Sequence, residues 1–265
     1  MLTTEQAAAF ERDGFVLGSK VLDVAELESL RDEVSRVIDQ RDQQDEPQPV
    51  LLRNLGSESA PVWQIVNIWQ ASEAFHRLAL NRTIAAEVAQ LTDAHELRIW
   101  HDQIQYKPAG KGGANHWHQD SPYWPPLKPK DQQVTAWVAL DDADAQNGCM
   151  SMVAGSHRWG DAIKDVEQLP KFDAARMPRE WNGRELIVHL CPVRAGFVHY
   201  HHALTWHGSQ ANSSNRPRRA IALHYMTDKT VLDAAGDHPM KPFIRVRDGE
   251  KIEGEAFPVV WKKQI

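Results

Sequence analysis

The sequence predicts a mainly β protein with flanking helices, arranged as a jelly roll, and three observations lead there. Helical periodicity is confined to the first 94 residues, and from about residue 95 short apolar stretches separated by turn residues replace it. Helices first and strands afterwards argue for an antiparallel double sheet buttressed by the amino-terminal part, because a parallel sheet would need helix and strand to alternate. A length of 265 residues suits one large core. The expected organisation is therefore a single domain over 1–265, with a mainly helical buttress (1–94), a jelly-roll core (95–227) and a tail without an assigned role (228–265).

Each element has a local reason. Thr3-x-x-Gln6 has the form of a capping box opening a short helix that ends before Gly14, and Asp23-x-x-Glu26 opens the next. In that second helix Val24, Leu27, Leu30, Val34, Val37 and Ile38 recur at three- and four-residue intervals, giving one apolar stripe to lay on a sheet. Residues 39–49 are polar with two prolines and read as an exposed connection. A third helix is expected from about 72 to 91, burying Phe75, Leu78, Ile84, Val88 and Leu91. Strands are expected at 97–107, 133–141, 149–153, 185–190, 196–200 and 219–227. The glycine-rich 108–115 reads either as an ordinary hairpin or as a cover over the site that follows it. The mixed segment 160–184, with Pro170, Pro178 and Gly183, reads as a second cover.

Composition excludes several function classes. Charged residues at 25% and a formal net charge of −6 give no field that would attract nucleic acid. No apolar run approaches the roughly 18 residues a membrane span needs. Cys149 and Cys191 are too few for a disulfide scaffold, and the amino terminus lacks the basic and apolar regions of a secretory signal. The expected address is cytoplasmic and the expected partner a small molecule.

The chemistry concentrates at His118-Gln119-Asp120 and, far down the chain, His207 in Trp206-His207-Gly208-Ser209. In an extended strand His118 and Asp120 would share a face, and His207 would come from a second strand. Two imidazoles and a carboxylate on one face of an octahedral ion leave open positions, the arrangement of non-haem Fe(II) oxygenases, whereas structural zinc closes four ligands. His116 has the same strand parity but is read as a hydrogen-bonding or surface residue, because a fourth protein ligand would take a position needed by cosubstrate or oxygen. An arginine on a neighbouring strand can grip a carboxylate with two charge-assisted hydrogen bonds, and Arg216, Arg218 and Arg219 compete for that role. In a strand from 218, Arg218, Ala220, Ala222 and His224 share one face, and parity alone leaves open which face is inward. Tyr123 and Trp124 follow the ligand motif into a proline-rich loop and read as substrate contacts, while Trp137 and Trp206 read as core. His201 and His202 read as packing, as orienting a metal ligand or, for His201, as reaching the substrate.

At these residues the chain resembles the phytanoyl-CoA dioxygenase family of Fe(II)- and 2-oxoglutarate-dependent oxygenases. The resemblance runs from Leu2-Thr3-Thr4-Glu5-Gln6 and Asp13-Gly14-Phe15-Val16 through Gln105-Tyr106-Lys107-Pro108, Trp117-His118-Gln119-Asp120, Asn147-Gly148-Cys149-Met150 and Gly155-Ser156-His157 to His207-Gly208-Ser209, Asn212 and Arg218. It implies a double-stranded β-helix of the cupin-like kind, with His118, Asp120 and His207 as iron ligands and catalytic centre. It also implies Arg218 as partner of the far carboxylate of 2-oxoglutarate, with Gln105 and Lys107 as further cosubstrate contacts. Ser209 is either another contact of that carboxylate or a residue of the local turn. His157 falls in a loop that the resemblance places near the substrate. The implied cofactors are Fe(II), 2-oxoglutarate and O2, and the implied reaction is hydroxylation of a small molecule with release of succinate and CO2. Two other classes fit parts of the pattern: a cupin-like metal dioxygenase that uses no 2-oxoglutarate, and a nonenzymatic jelly roll that only binds a ligand.

Overall fold

A computed structural model describes residues 1–43, 45–169 and 177–263 of the chain. Helix α1 (Thr4–Asp13) begins with the expected reciprocal cap, the Gln6 N–H reaching Thr3 Oγ1 at 3.2 Å and the Thr3 N–H reaching Gln6 Oε1 at 2.8 Å. It stops at Gly14, whose φ of 86° suits a residue without a Cβ. Helix α2 (Val24–Asp39) carries the second capping box and buries Leu27, Leu30, Val34 and Val37. The expected third helix is two helices, α3 (Glu73–Ala79) and α4 (Arg82–Thr92). Asn81 divides them because its side-chain oxygen accepts from the N–H groups of Thr83 and Ile84 and starts a new helix. A short helix, α5 (Ile163–Val166), follows later.

The strands are β1 (Phe15–Lys20), β2 (Leu51–Asn54), β3 (Trp63–Val66), β4 (Glu96–Lys107), β5 (Asn115–His118), β6 (Leu127–Lys128), β7 (Gln133–Ala139), β8 (Met150–Val153), β9 (Glu180–Trp181), β10 (Arg184–Glu185), β11 (Val188–Cys191), β12 (Phe197–His202), β13 (His207–Ser209), β14 (Arg218–Thr227), β15 (Val231–Leu232) and β16 (Val259–Lys262). The larger sheet has the order β1-β12-β7-β14-β4-β3-β2, with β16 also paired to β4, and the smaller has the order β11-β8-β13-β5. All of their pairings are antiparallel, which makes the jelly roll expected from the sequence.

Strand β14 shows why the layers form. Its residues alternate between two faces, and both are covered. Ile221, Leu223 and Tyr225 join Leu27, Leu30, Val34, Phe75, Ile84 and Val88 of the helices in one core. Ala220 and Ala222 face the other way, into a second cluster with Trp137, Met150 and Met152 between the sheets. Truncation of a residue such as Ile221 to Ala at this depth costs about 2–5 kcal/mol.

Several strands lay outside the sequence expectation. Residues 1–94 supply β1, β2 and β3 to the larger sheet as well as helices. The tail returns to the sheet through β16, where Val259 pairs with Arg98 and Lys262 with Glu96. Among the described residues no helix is long and apolar enough to cross a membrane.

Candidate active site

Strands β5 and β13 are neighbours in the smaller sheet, and His118 at the end of β5 pairs directly with His207 at the start of β13. Their ring centroids are 4.0 Å apart. Asp120 completes the group by a different route from the strand alternation read in the sequence. β5 ends at His118, and Asp120 has αR geometry (φ −72°, ψ −50°) at the entry to the turn Ser121–Tyr123. That turn brings Asp120 Oδ1 to 3.8 Å from His118 Nε2 and 3.6 Å from His207 Nε2. The ligand atoms of the three residues lie within 4.8 Å of one another, a set that could hold a metal ion.

The surroundings decide which atoms face the gap. His118 Nδ1 is 2.7 Å from the His116 carbonyl, and His207 Nδ1 is 2.9 Å from the Thr205 carbonyl. A carbonyl only accepts, so each Nδ1 carries the proton and each Nε2 offers a lone pair. Asp120 Oδ2 accepts from the Thr135 hydroxyl at 2.7 Å and from His201 Nε2 at 3.1 Å, which turns Oδ1 toward the imidazoles. Burial, helped by His207 beside His118 and by His201 beside His207, pushes both imidazoles down to about 4. Burial alone would raise Asp120, but His207, His201 and His224 outweigh it and hold the carboxyl well below the usual range. Neutral imidazoles and an ionised carboxylate are the protonation states that a divalent metal requires.

Beside this group lie two buried cations. Lys107 is 0% and Arg218 1% exposed, and neither meets a carboxylate among the described residues. Lys107 Nζ donates to Ser209 Oγ at 2.6 Å, to the Gln210 carbonyl at 2.6 Å and to the Ser209 carbonyl at 3.2 Å. Arg218 donates to Ser209 Oγ at 3.3 Å and to the carbonyls of Gly148 and Gln105 at 3.2 Å each, with its guanidinium 5.6 Å from the Trp137 ring. Burial and the neighbouring Arg218 push Lys107 well below the ordinary lysine range, and burial lowers Arg218 to about 10. The other arginines are occupied: Arg216 meets Asp144 at 2.6 Å and Arg219 meets Asp141 at 2.8 Å. Two buried basic side chains that share a serine and contact no carboxylate among the described residues make a site for an anion. Gly148 is required beside them, because its φ is 86° and a Cβ there would stand 2.4 Å from the Gln210 carbonyl.

Ser209, Gln105 and the three ligand residues line one narrow recess of about 30 Å³, which shares Gln103, Gln105, Asn115, His118, Asp120 and His224 with an open cleft of about 1050 Å³. Tyr123, half exposed, and Trp124, largely buried, line the cleft. His201 lines the inner recess and is committed to Asp120. His157 stands apart from both cavities, its ring 5.4 Å from that of His202, under the end of α1 where a Cβ on Gly14 would strike it. Exposed His116 also lines the cleft. Of the two segments read as covers, 108–115 is tied down by the Gly110 N–H to the Ser214 carbonyl and by a bridge between Gly112 and Asn212. No described residue of 160–184 lines the cleft, and 170–176, including Pro170, lie outside the described residues.

The sequence reading missed Thr135, Gln103, His101 and the tail residues His238 and Lys241, which also line these cavities. Of the remaining wall, His224 carried a signal through its parity with Arg218; the tail residues carried none.

Comparison with known proteins agrees with this architecture. A family model described as phytanoyl-CoA dioxygenase matches residues 10–220. Ectoine dioxygenase from Halomonas elongata is 29% identical over 260 residues, covering 91% of this chain and 75% of its own. Mouse peroxisomal phytanoyl-CoA dioxygenase is 26% identical over 251 residues, covering 89% and 72%. Among solved structures, the α-ketoglutarate-dependent carbocyclase SnoK from nogalamycin biosynthesis superposes with a TM-score of 0.79 at 28% identity, over 98% of this chain and 97% of that one. The epimerase SnoN in complex with Fe3+, α-ketoglutarate and nogalamycin RO gives 0.75 at 26% identity, over 97% and 98%. With a match across most of its length and a fold shared with these oxygenases, the chain belongs to the phytanoyl-CoA dioxygenase family.

Proposed function

We propose that the protein hydroxylates a small organic molecule held in the cleft, converting the C–H of its substrate, O2 and 2-oxoglutarate into the alcohol, succinate and CO2. By family it is a 2-oxoglutarate-dependent non-haem iron dioxygenase. The iron, when bound, supplies the activation of oxygen. The chain's own residues do the rest. His118 Nε2, Asp120 Oδ1 and His207 Nε2 hold the metal from one side, and Thr135 and His201 keep Asp120 presenting a single oxygen. Arg218 and Lys107 bind the far carboxylate of the cosubstrate, with Ser209 between them. The three hydrogen bonds that Arg218 makes leave two of its five N–H groups to donate to that carboxylate.

The observation that carries this reading is the pair of buried basic side chains, Lys107 and Arg218, that lie beside the His-Asp-His group and contact no carboxylate among the described residues. A metal dioxygenase that used no keto acid, or a ligand-binding jelly roll, would have no use for it. Anaerobic addition of 2-oxoglutarate to the Fe(II) protein should produce a metal-to-ligand charge-transfer absorption. Admission of O2 with a panel of small molecules should then release succinate. Oxygen consumption without a requirement for 2-oxoglutarate would exclude the proposal. Product analysis separates hydroxylation from the epimerisation and ring closure named for the two structural relatives.

A further inference from the structure

His224 projects from β14 into both the recess and the cleft, and its hydrogen bonds fix its tautomer. Thr135 Oγ1 lies 2.7 Å from Asp120 Oδ2 and 2.9 Å from His224 Nδ1. The hydroxyl has one proton, and the carboxylate can only accept, so Thr135 donates to Asp120 and must accept from His224. His224 is therefore protonated on Nδ1 and keeps a bare lone pair on Nε2. No protein group among the described residues occupies that lone pair, and the atom is not among the sealed polar atoms of the interior. It opens on the cleft within one hydroxyl of a metal ligand.

The wall around it has a consistent character. His101 and His238 continue the imidazoles, the His101 ring standing 4.5 Å from that of His224 and 5.2 Å from that of His238. His238 Nδ1 accepts from the Met240 N–H at 3.1 Å, so its proton is on Nε2. Arg53 donates to Gln64 at 2.7 Å and Gln64 donates to Gln103 at 2.7 Å, which leaves the Gln103 amide N–H groups for the cavities. His224 Nε2 is thus an acceptor that stands beside the donors Gln103 and His238. Trp124 stands 4.6 Å from His224, and Trp117 and Tyr123 also line the cleft. The remaining charges on the lining, apart from Asp120, are Arg53, Asp237 and Lys241, with both signs represented.

We propose that His224 Nε2 is a specificity-determining acceptor for a hydroxyl on a neutral, ring-bearing substrate, and that this contact places the ring against the metal-binding face. A hydroxyl fits better than an N–H because its oxygen can also accept from the neighbouring donors Gln103 and His238. The volume, about 1050 Å³, suits a ligand of several rings. This assignment rests on the reading of the cleft as the substrate site.

The probes are 2-naphthol and 2-methoxynaphthalene, which share a ring system and differ in the ability to donate. Calorimetric titration of the metal-free protein should show 2-naphthol binding at least about fivefold more tightly, the size expected for one net hydrogen bond. His224→Asn, whose amide can still donate to Thr135 but does not reach the Nε2 position, should abolish that preference. His224→Gln, which returns an amide oxygen toward the Nε2 position, should restore part of it. Absence of saturable naphthol binding, equal affinity of both probes for the native protein, or a preference that survives His224→Asn would each overturn the assignment. If neither variant folds, the imidazole nitrogen resonances of the native protein decide: 2-naphthol and not 2-methoxynaphthalene should shift His224 Nε2, and an unshifted resonance would overturn the assignment. Because these titrations use neither iron nor 2-oxoglutarate, a failure of the dioxygenase reading shows separately, as missing succinate.

Discussion

His201 Nε2 lies 3.1 Å from Asp120 Oδ2, and this contact presents the opposite oxygen of the carboxylate to His118 and His207. Together with Thr135 it makes Asp120 a one-oxygen ligand before any metal arrives. His201→Phe, which keeps the ring volume, and Thr135→Val, which keeps the shape, should each weaken Fe(II) binding by about 10- to 100-fold, as loss of a ligand's supporting hydrogen bond does elsewhere. Metal titration of the two variants checks this. Affinities equal to that of the native protein would show that Asp120 needs no orientation.

Arg218→Ala should raise the 2-oxoglutarate concentration needed for half-saturation by at least tenfold while leaving iron binding nearly intact. Removal of one partner from a buried charge pair costs about 2–5 kcal/mol. Arg216→Ala should have little effect, because Arg216 is a partly exposed partner of Asp144. Anaerobic titration followed by the charge-transfer absorption measures both.

Lys107→Met separates function from stability. Methionine matches the length of the lysine stem without its charge, and Lys107 is fully buried beside another cation. The variant should melt at the same temperature as the native protein or higher, and should still require at least tenfold more 2-oxoglutarate. A large fall in melting temperature would show that the lysine is structural.

Glu96 anchors the tail strand, with Arg98 at 2.9 Å, Lys251 at 2.6 Å and Lys262 at 3.4 Å. Burial would raise its pKa, but the bonds from Lys251 and Arg98 prevail and bring it to about 2. A folded-state value below the unfolded one means that the stabilisation is present above the ordinary carboxyl value of 4.5 and is lost as the pH falls toward about 2. Glu96→Gln should therefore lower the melting temperature at pH 7, and the gap to the native protein should close between pH 4.5 and 2. A constant gap across that range would count against this anchor.

What the sequence by itself determined was local. The caps at Thr3 and Asp23, the stripe of α2 and the long strands β4, β7 and β14 follow from patterns within a few residues of each other, where side-chain spacing sets the structure directly. The residue types of the His-Asp-His group were also legible, since few pairings other than metal binding call for them together. Short polar strands such as β5 and β13, only four and three residues long, were legible only as places for His118 and His207, and their bounds and pairing were not, because partners distant in sequence stabilise them. Tertiary structure alone decided the rest. It put Asp120 in a turn instead of on the strand face, and it chose the inward face of β14 by laying helices against Ile221, Leu223 and Tyr225, which left Arg218 and His224 turned toward the site. It also folded His238 of the tail over the cleft. For β14 the physical reason is that strand alternation gives two equivalent faces, and only what covers each, the helices on one and the smaller sheet on the other, tells them apart.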